Sequence, residues 1–452
     1  MTKIRISDTA IEPIASAGFL VPKPLLVPAN DNSPEPPPRA PARALLPDAA
    51  ALGDVVAELQ RDVVMLPLRL GRLDEAFFRD RLPRLNAAAS RGDLSAASFA
   101  AHISNRFSQA DLEGLTRIAD TLSEDQAVWV LGAIGHLASL LVRHKRLESG
   151  DRSTSEGLAL MPGLEEAMLA FGRATGRAPR NCAYSTWGIA PPWSFTGSEG
   201  ERRFGEAVRD AERLLGEAAR MLADLRTRTL RFVDATEVMS DVATLVLEYV
   251  DIQVDLAKRP FGEDFIAMRD YLAPFTVGGV EYEGPNATYT RAWTDLDLAV
   301  GLLGGHFRET ASKRASYMPP REREWIEYSI GLPTLCDLVA ETLEITSEDL
   351  ATIDLAQLAA RTGVRPRPER DALRAAAEVA RSVARLSAVH GGAIRQNLTE
   401  PARQLSDEAR SRLAVAPDGG VGGRELEHTH KLRDIRIKHP LVRVTLPGEE
   451  GK

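Results

Sequence analysis

Apolar residues recur along this chain with the period of an α-helix from about residue 51 onward. Val55, Val56, Leu59, Val63 and Val64 fall three and four apart, the spacing that lines one face of a helix. The same period predicts helices over 94–104, 110–121, 125–147 and 164–175. A long amphipathic helix is expected over 201–231, with Phe204, Val208, Ala211, Leu215, Ala218 and Leu222 on one face. Another is expected over about 236–257 and a shorter piece over 264–272. Pro274, Gly278, Gly279, Gly284 and Pro285 then break any helix, and that stretch reads as irregular. Helix resumes over 289–307 and again after Pro319-Pro320. Ser347-Glu348-Asp349 opens one near 349–360, and the longest runs over 367–398. No strand pairing and no exact repeat is expected. The βαβ alternation of nucleotide-binding folds is absent, so the fold class read from the pattern is all-α.

Residues 1–48 are set apart by proline. Pro34, Pro36, Pro37, Pro38 and Pro41 are too dense for the interior of any regular element, and the segment reads as a disordered or polyproline-like extension. It is either a solvated tail or a docking segment. A smaller helical part is expected over 49–160, a larger helical body over 161–435 and a tail over 436–452.

Composition narrows the classes further. With 452 residues, 44% hydrophobic and 27% charged, the chain has ample material for a core. The net charge of −8 provides no global basic field for nucleic acid. Lys431–Arg443 is the one basic-looking stretch; short and without aromatics, it reads as a solvated C-terminus. Cys182 and Cys336 are the only cysteines, so neither a disulfide framework nor a CxxC knuckle is expected. No charged start leads into a long apolar core, as a secretory signal would need. His136 interrupts the longest apolar run, over 127–142, so no bilayer-spanning segment and a cytoplasmic location are expected.

Five constellations bear on chemistry. Val379, Val383, Leu386, His390 and Ile394 follow one helical face, so His390 points toward the core. A buried imidazole needs a partner, either a backbone carbonyl or a metal such as haem iron. Gly391 and Gly392 follow it, and missing side chains let a flat ligand approach a backbone. Phe265 and Arg269 are four apart on one face. Together they suit an aromatic carboxylate, or Arg269 simply pairs with Glu263 or Asp270 on the surface. The loop from Gly278 to Thr288 is rich in small residues and reads equally as a ligand-lining loop or a connection. Gly419-Gly420-Val421-Gly422-Gly423 is a candidate lid but matches no phosphate loop. Glu425 and His428 form a single ExxH, and a di-iron bundle needs two. His102, His136, His144 and His306 show no partner spacing, and Cys182 reads as a structural thiol.

Taken in order, several segments resemble a known family. Met161-Pro162-Gly163-Leu164-Glu165, Arg173-Ala174-Thr175-Gly176, Pro179-Arg180, Trp187 and Phe195-Thr196-Gly197 resemble the monodechloroaminopyrrolnitrin synthases of the indoleamine 2,3-dioxygenase superfamily. So do Arg269, Val277-Gly278-Gly279, Tyr282 and Gly284-Pro285. Tyr317-Met318-Pro319-Pro320, the Ser382–Leu398 segment with His390, and Gly420-Val421-Gly422-Gly423 resemble indoleamine 2,3-dioxygenase itself. The resemblance spans roughly residues 75–435.

The resemblance implies an all-α fold with haem b in the large C-terminal body, and a smaller helical part closing the distal side. His390 matches the proximal haem-iron ligand, and Gly284 and Ala287 the loop beside the haem. Arg269 matches the residue that binds the substrate carboxylate; Phe265, Thr288, Gly422 and Gly423 match positions around the substrate. The implied activity is a haem-dependent oxygenase or oxidase of secondary metabolism. It would act on tryptophan, a substituted tryptophan or a related aromatic amino acid, with O₂ and an external reductant. Three positions depart from indoleamine 2,3-dioxygenase: the distal loop reads Gly-Pro-Asn-Ala-Thr, Arg424 follows the glycine loop, and Asp264 replaces an aromatic. Oxygen insertion and arylpyrrole-type rearrangement both remain open. The alternative class is a haem-binding sensor or interaction protein without turnover.

Overall fold

The computed structural model describes Leu73 and residues 76–150, 155–187, 193–405 and 426–446. A π-helical turn at Phe77–Arg81 leads into α1 (Leu82–Ser90), followed by α2 (Ala96–Ser104), α3 (Gln109–Ile118), α4 (Glu124–Ser149) and α5 (Leu164–Thr175). Short polar residues start α2, α3 and α4. Ser95, Ser108 and Ser123 each accept a bond from the backbone N–H three residues on, which satisfies a donor the helix itself cannot. At Ser108 and Ser123 the side chains of Asp111 and Gln126 return the bond, closing capping boxes. His136 does not interrupt α4. The helix runs 26 residues and is long and apolar enough to cross a membrane, which corrects the expectation from sequence; 94% of its apolar window is buried in the fold, as in a core helix.

Next come α6 (Ala183–Trp187), α7 (Glu199–Arg226), α8 (Thr236–Lys258) and α9 (Gly262–Arg269), the last ending in a 3₁₀ turn at Asp270–Leu272. The stretch read as irregular is a β-hairpin: β1 (Phe275–Val277) pairs antiparallel with β2 (Val280–Tyr282), Val277 opposite Val280. Gly278 and Gly279, at φ 58° and 78°, form its two-residue turn, a geometry that needs positive φ at both positions. Then follow α10 (Arg291–Val300), α11 (His306–Ala315), α12 (Pro320–Ile330), α13 (Leu335–Leu343), α14 (Ser347–Thr352), α15 (Leu355–Gly363) and α16 (Arg367–Ile394). Helix α16 passes through a π turn at Arg395–Thr399 into α17 (Glu400–Gln404). After the undescribed residues come α18 (Leu426–Lys438) and α19 (Pro440–Arg443).

Buried side chains form two large clusters. One joins α1–α6 to α9, the hairpin and the segment Ile394–Ala402. The other packs α7, α8, α10, α13 and α16 together, with Leu441, Val444 and Leu446 closing it. Leu441 and the buried Arg436 correct the reading of Lys431–Arg443 as solvated. Arg436 is buried because Asp297 accepts a bond from its Nη2 and Ser387 Oγ one from its Nη1, and apolar residues beyond it complete the core.

Candidate functional site

Helix α16 crosses α8 over a long contact, and α8 packs on α7, which in turn packs on α10. His390 lies in the last turns of α16, facing α8 and α10. Its Nδ1 is 3.2 Å from Gln253 Oε1, and the Gln253 Nε2 donates to Tyr249 Oη at 2.8 Å. The Trp293 ring, on α10, sits 5.4 Å from the imidazole and meets Tyr249 edge-on at 5.8 Å. Burial holds the His390 imidazole well below its ordinary range, at about 4, and the positive charge of Arg436 adds to this. The ring is therefore neutral near pH 7. With an acceptor oxygen facing Nδ1, that nitrogen carries the proton, and Nε2 keeps its lone pair. Nε2 forms no hydrogen bond among the described residues. In the next two residues of the helix, a Cβ built on Gly392 would meet nothing within 4 Å, and one on Gly391 only the Arg433 side chain.

Arg269 and Phe265 lie on α9. That helix packs against the π turn that follows His390, and Asn397 in the turn accepts the Phe261 N–H at 2.6 Å. Arg269 is 6% exposed, which corrects the reading of a surface arginine; burial lowers its pKa to about 10. Phe265 meets Phe204 edge-on at 5.2 Å, and Phe204 meets Trp187 at 5.1 Å. The buried Trp187 Nε1 has no acceptor among the described residues. Sequence periodicity did not single out this aromatic row. Asp264, the departure from an aromatic, accepts the Gly200 N–H at 2.9 Å in the first turn of α7. The C-terminal end of α9 is fixed from the N-terminal helices: Arg143 Nε donates to Asp270 Oδ2 at 3.1 Å, and Asn86 Nδ2 to Tyr271 Oη at 2.7 Å.

The loop after the hairpin has a structural task as well. A Cβ on Gly284 would fall 2.1 Å from the Leu272 carbonyl oxygen. The glycine is thus required by backbone packing on the turn after Arg269. Arg180, wholly buried, donates from Nη1 to Tyr282 O at 2.8 Å and stacks on Phe275, clamping the hairpin. Asn286 Oδ1 accepts from the Thr288 N–H and hydroxyl, so Thr288 is occupied within its own turn, and Ala287 is half-buried against the first cluster. The loop then enters α10, which carries Trp293 to His390. Residues 419–423, with Gly422 and Gly423, and Glu425 lie outside the described residues. An open groove of about 890 Å³, lined by Gln109, Glu113, Arg117, Met161, Glu165 and Thr276 among others, contains none of the candidate residues.

No protein-family model matches the chain, and no curated protein matches its sequence. Whether a haem suits these residues is therefore judged on chemistry. Among the described residues no three His, Cys, Asp or Glu side chains converge as a metal cage would require, but haem iron needs only one protein ligand. A neutral imidazole held through Nδ1, with Nε2 unengaged, is a fitting donor for that iron. Two residues missed in the sequence complete this surround, Gln253 and Trp293. Gln253 left one trace: it is a polar residue in line with Met239, Val242, Val246 and Val250 on the buried face of α8.

Proposed function

We propose that this chain is a b-type haem-dependent oxygenase or oxidase acting on an aromatic amino acid, tryptophan or a substituted tryptophan foremost. The observation that carries the reading is His390, neutral, anchored at Nδ1 by Gln253 and free at Nε2. His390 would hold the iron; the haem, when bound, supplies the oxidising power toward O₂. The residues of the chain bind and orient. The Arg269 guanidinium, always cationic near pH 7, would hold the substrate carboxylate bidentately. Phe265 and Trp187 lie along the adjoining aromatic row, where an indole ring would find stacking and edge contacts. Fixing the carboxylate and the ring together turns a bimolecular encounter into an oriented one. Burial of Arg269 excludes the water that would otherwise weaken its grip.

The test is an absorption spectrum of protein expressed with haem supply, before and after adding L-tryptophan and substituted tryptophans to the reduced form. A haem spectrum that shifts with an indole amino acid supports the oxygenase. A haem spectrum indifferent to all of them favours the sensor, and no haem at all removes the function. His390→Ala is expected to abolish haem retention. Arg269→Ala is expected to weaken amino-acid binding by about 2 kcal/mol, as for a lost charge-assisted contact; unchanged affinity would remove Arg269 from the site.

A further inference from the structure

We infer that Gln253, backed by Tyr249, is a positioning residue that fixes the tautomer and the ring orientation of His390, so that Nε2 is presented to a metal. The inference rests on the haem reading above and assigns that site a support on a separate helix. Gln253 and Tyr249 are four residues apart on α8 and so share a face, and they are 4% and 3% exposed. A glutamine amide buried this deeply is costly unless both ends are bonded. Here both are, the oxygen to His390 Nδ1 at 3.2 Å and the nitrogen to Tyr249 Oη at 2.8 Å. In this orientation the amide accepts at Nδ1 while it donates to the tyrosine. Trp293 packs on both the tyrosine and the imidazole, so the ring has little freedom to turn about its own bonds. A leucine would fill the same volume between α8 and α16 more cheaply. The glutamine adds direction: an acceptor at Nδ1 makes Nε2 the basic nitrogen.

The choice of an amide also has a chemical consequence. A metal-bound histidine commonly donates its other N–H to a carboxylate or a carbonyl, and the acceptor tunes how much electron density the ring gives the metal. A neutral amide draws on the N–H less strongly than a carboxylate. With haem bound, it would keep the ligand closer to imidazole than to imidazolate and so favour the reduced iron. Replacing Gln253 by glutamate should shift the bound iron toward the oxidised form.

The test separates this inference from the haem reading. In the full chain labelled with ¹⁵N-histidine and free of haem, the His390 signals, identified by their loss in His390→Ala, should show Nδ1 protonated and Nε2 bare. Gln253→Leu should turn this into a mixture of tautomers. Titration with hemin should then give a dissociation constant ~10–100-fold higher for Gln253→Leu than for the unaltered chain. Gln253→Glu should retain hemin while lowering its reduction potential and raising the iron–histidine stretching frequency. A His390 protonated at Nε2 in the unaltered chain overturns the inference, whatever hemin does. Equal hemin affinity in the unaltered chain and Gln253→Leu overturns it while leaving the haem reading intact. A chain with the expected tautomer that takes up no hemin ends the haem reading and the inference together.

Discussion

At the scale of single residues, much of what the sequence offered as site chemistry is also structural necessity. Gly284 is the clearest case. A small residue beside a ligand and a small residue against a carbonyl leave the same letter in the sequence, and only the approach of the Leu272 oxygen tells them apart. Gly284→Ala should destabilise the protein by about 2 kcal/mol through overpacking, read as a lower urea midpoint; an unchanged midpoint would mean the loop is free to move away. His390 was legible because its face could be counted along one helix. Gln253 was not, since its bond to His390 spans 137 positions and no local period encodes it. Asp264 became intelligible only when its acceptor role toward Gly200 appeared.

Elements were read best where glycines mark both ends of a helix. The expected 164–175 coincides with α5, which begins and ends at left-handed Gly163 and Gly176. The 289–307 helix divides because Gly301 adopts φ 79° against Thr334, where a side chain would collide. Long apolar periodicity hid such a break. The hairpin was missed by treating Gly278 and Gly279 as helix breakers; two adjacent glycines between Phe-Thr-Val and Val-Glu-Tyr are also a two-residue hairpin turn. The capping box of α4 gives a prediction at this scale. Ser123→Ala removes the acceptor for the Gln126 N–H and should cost about 1 kcal/mol. Thermal unfolding measures it, and rescue by Asp, which can accept the same bond, distinguishes loss of the cap from any other effect.

Across the whole molecule, buried polar networks tie distant segments to the candidate site. Asn86 accepts from His144 Nε2 at 2.7 Å while it holds Tyr271, so α1, α4 and the end of α9 form one unit. Burial lowers His136 and His144 to about 3, and the charge of Arg143 contributes at His144. Their folded values lie below the unfolded value near 6.5. Below that pH the unfolded chain takes up protons that the folded chain refuses. The stability each contributes is complete above about pH 6.5 and is lost, at about 1.4 kcal/mol per pH unit, as the pH falls toward 3. Glu212, pushed up to about 8 by burial and by Glu322, acts in the opposite sense over its own range. The imidazole nitrogen signals of His136 and His144 should therefore stay fixed between pH 8 and 5 in the folded protein and titrate near 6.5 in urea. Titration of either in the folded state would mean that water reaches the N-terminal core.

The π turn at Arg395–Thr399 bears on how this architecture tolerates changes in length. A π turn holds one residue more than the α turn it replaces, so it works as a step in the thread between His390 and α17. Removing a single residue there would restore plain α-helix and displace Asn397 within the turn, while the chain beyond keeps roughly its orientation. Asn397 would swing away from the Phe261 N–H it now holds, and α9 would lose its seat. Substitutions along 395–399 that keep the helix can be absorbed one at a time. Insertion or deletion of one residue between His390 and Asn397 moves the acceptor that Phe261 uses, and that spacing is the quantity any altered form of this chain must preserve.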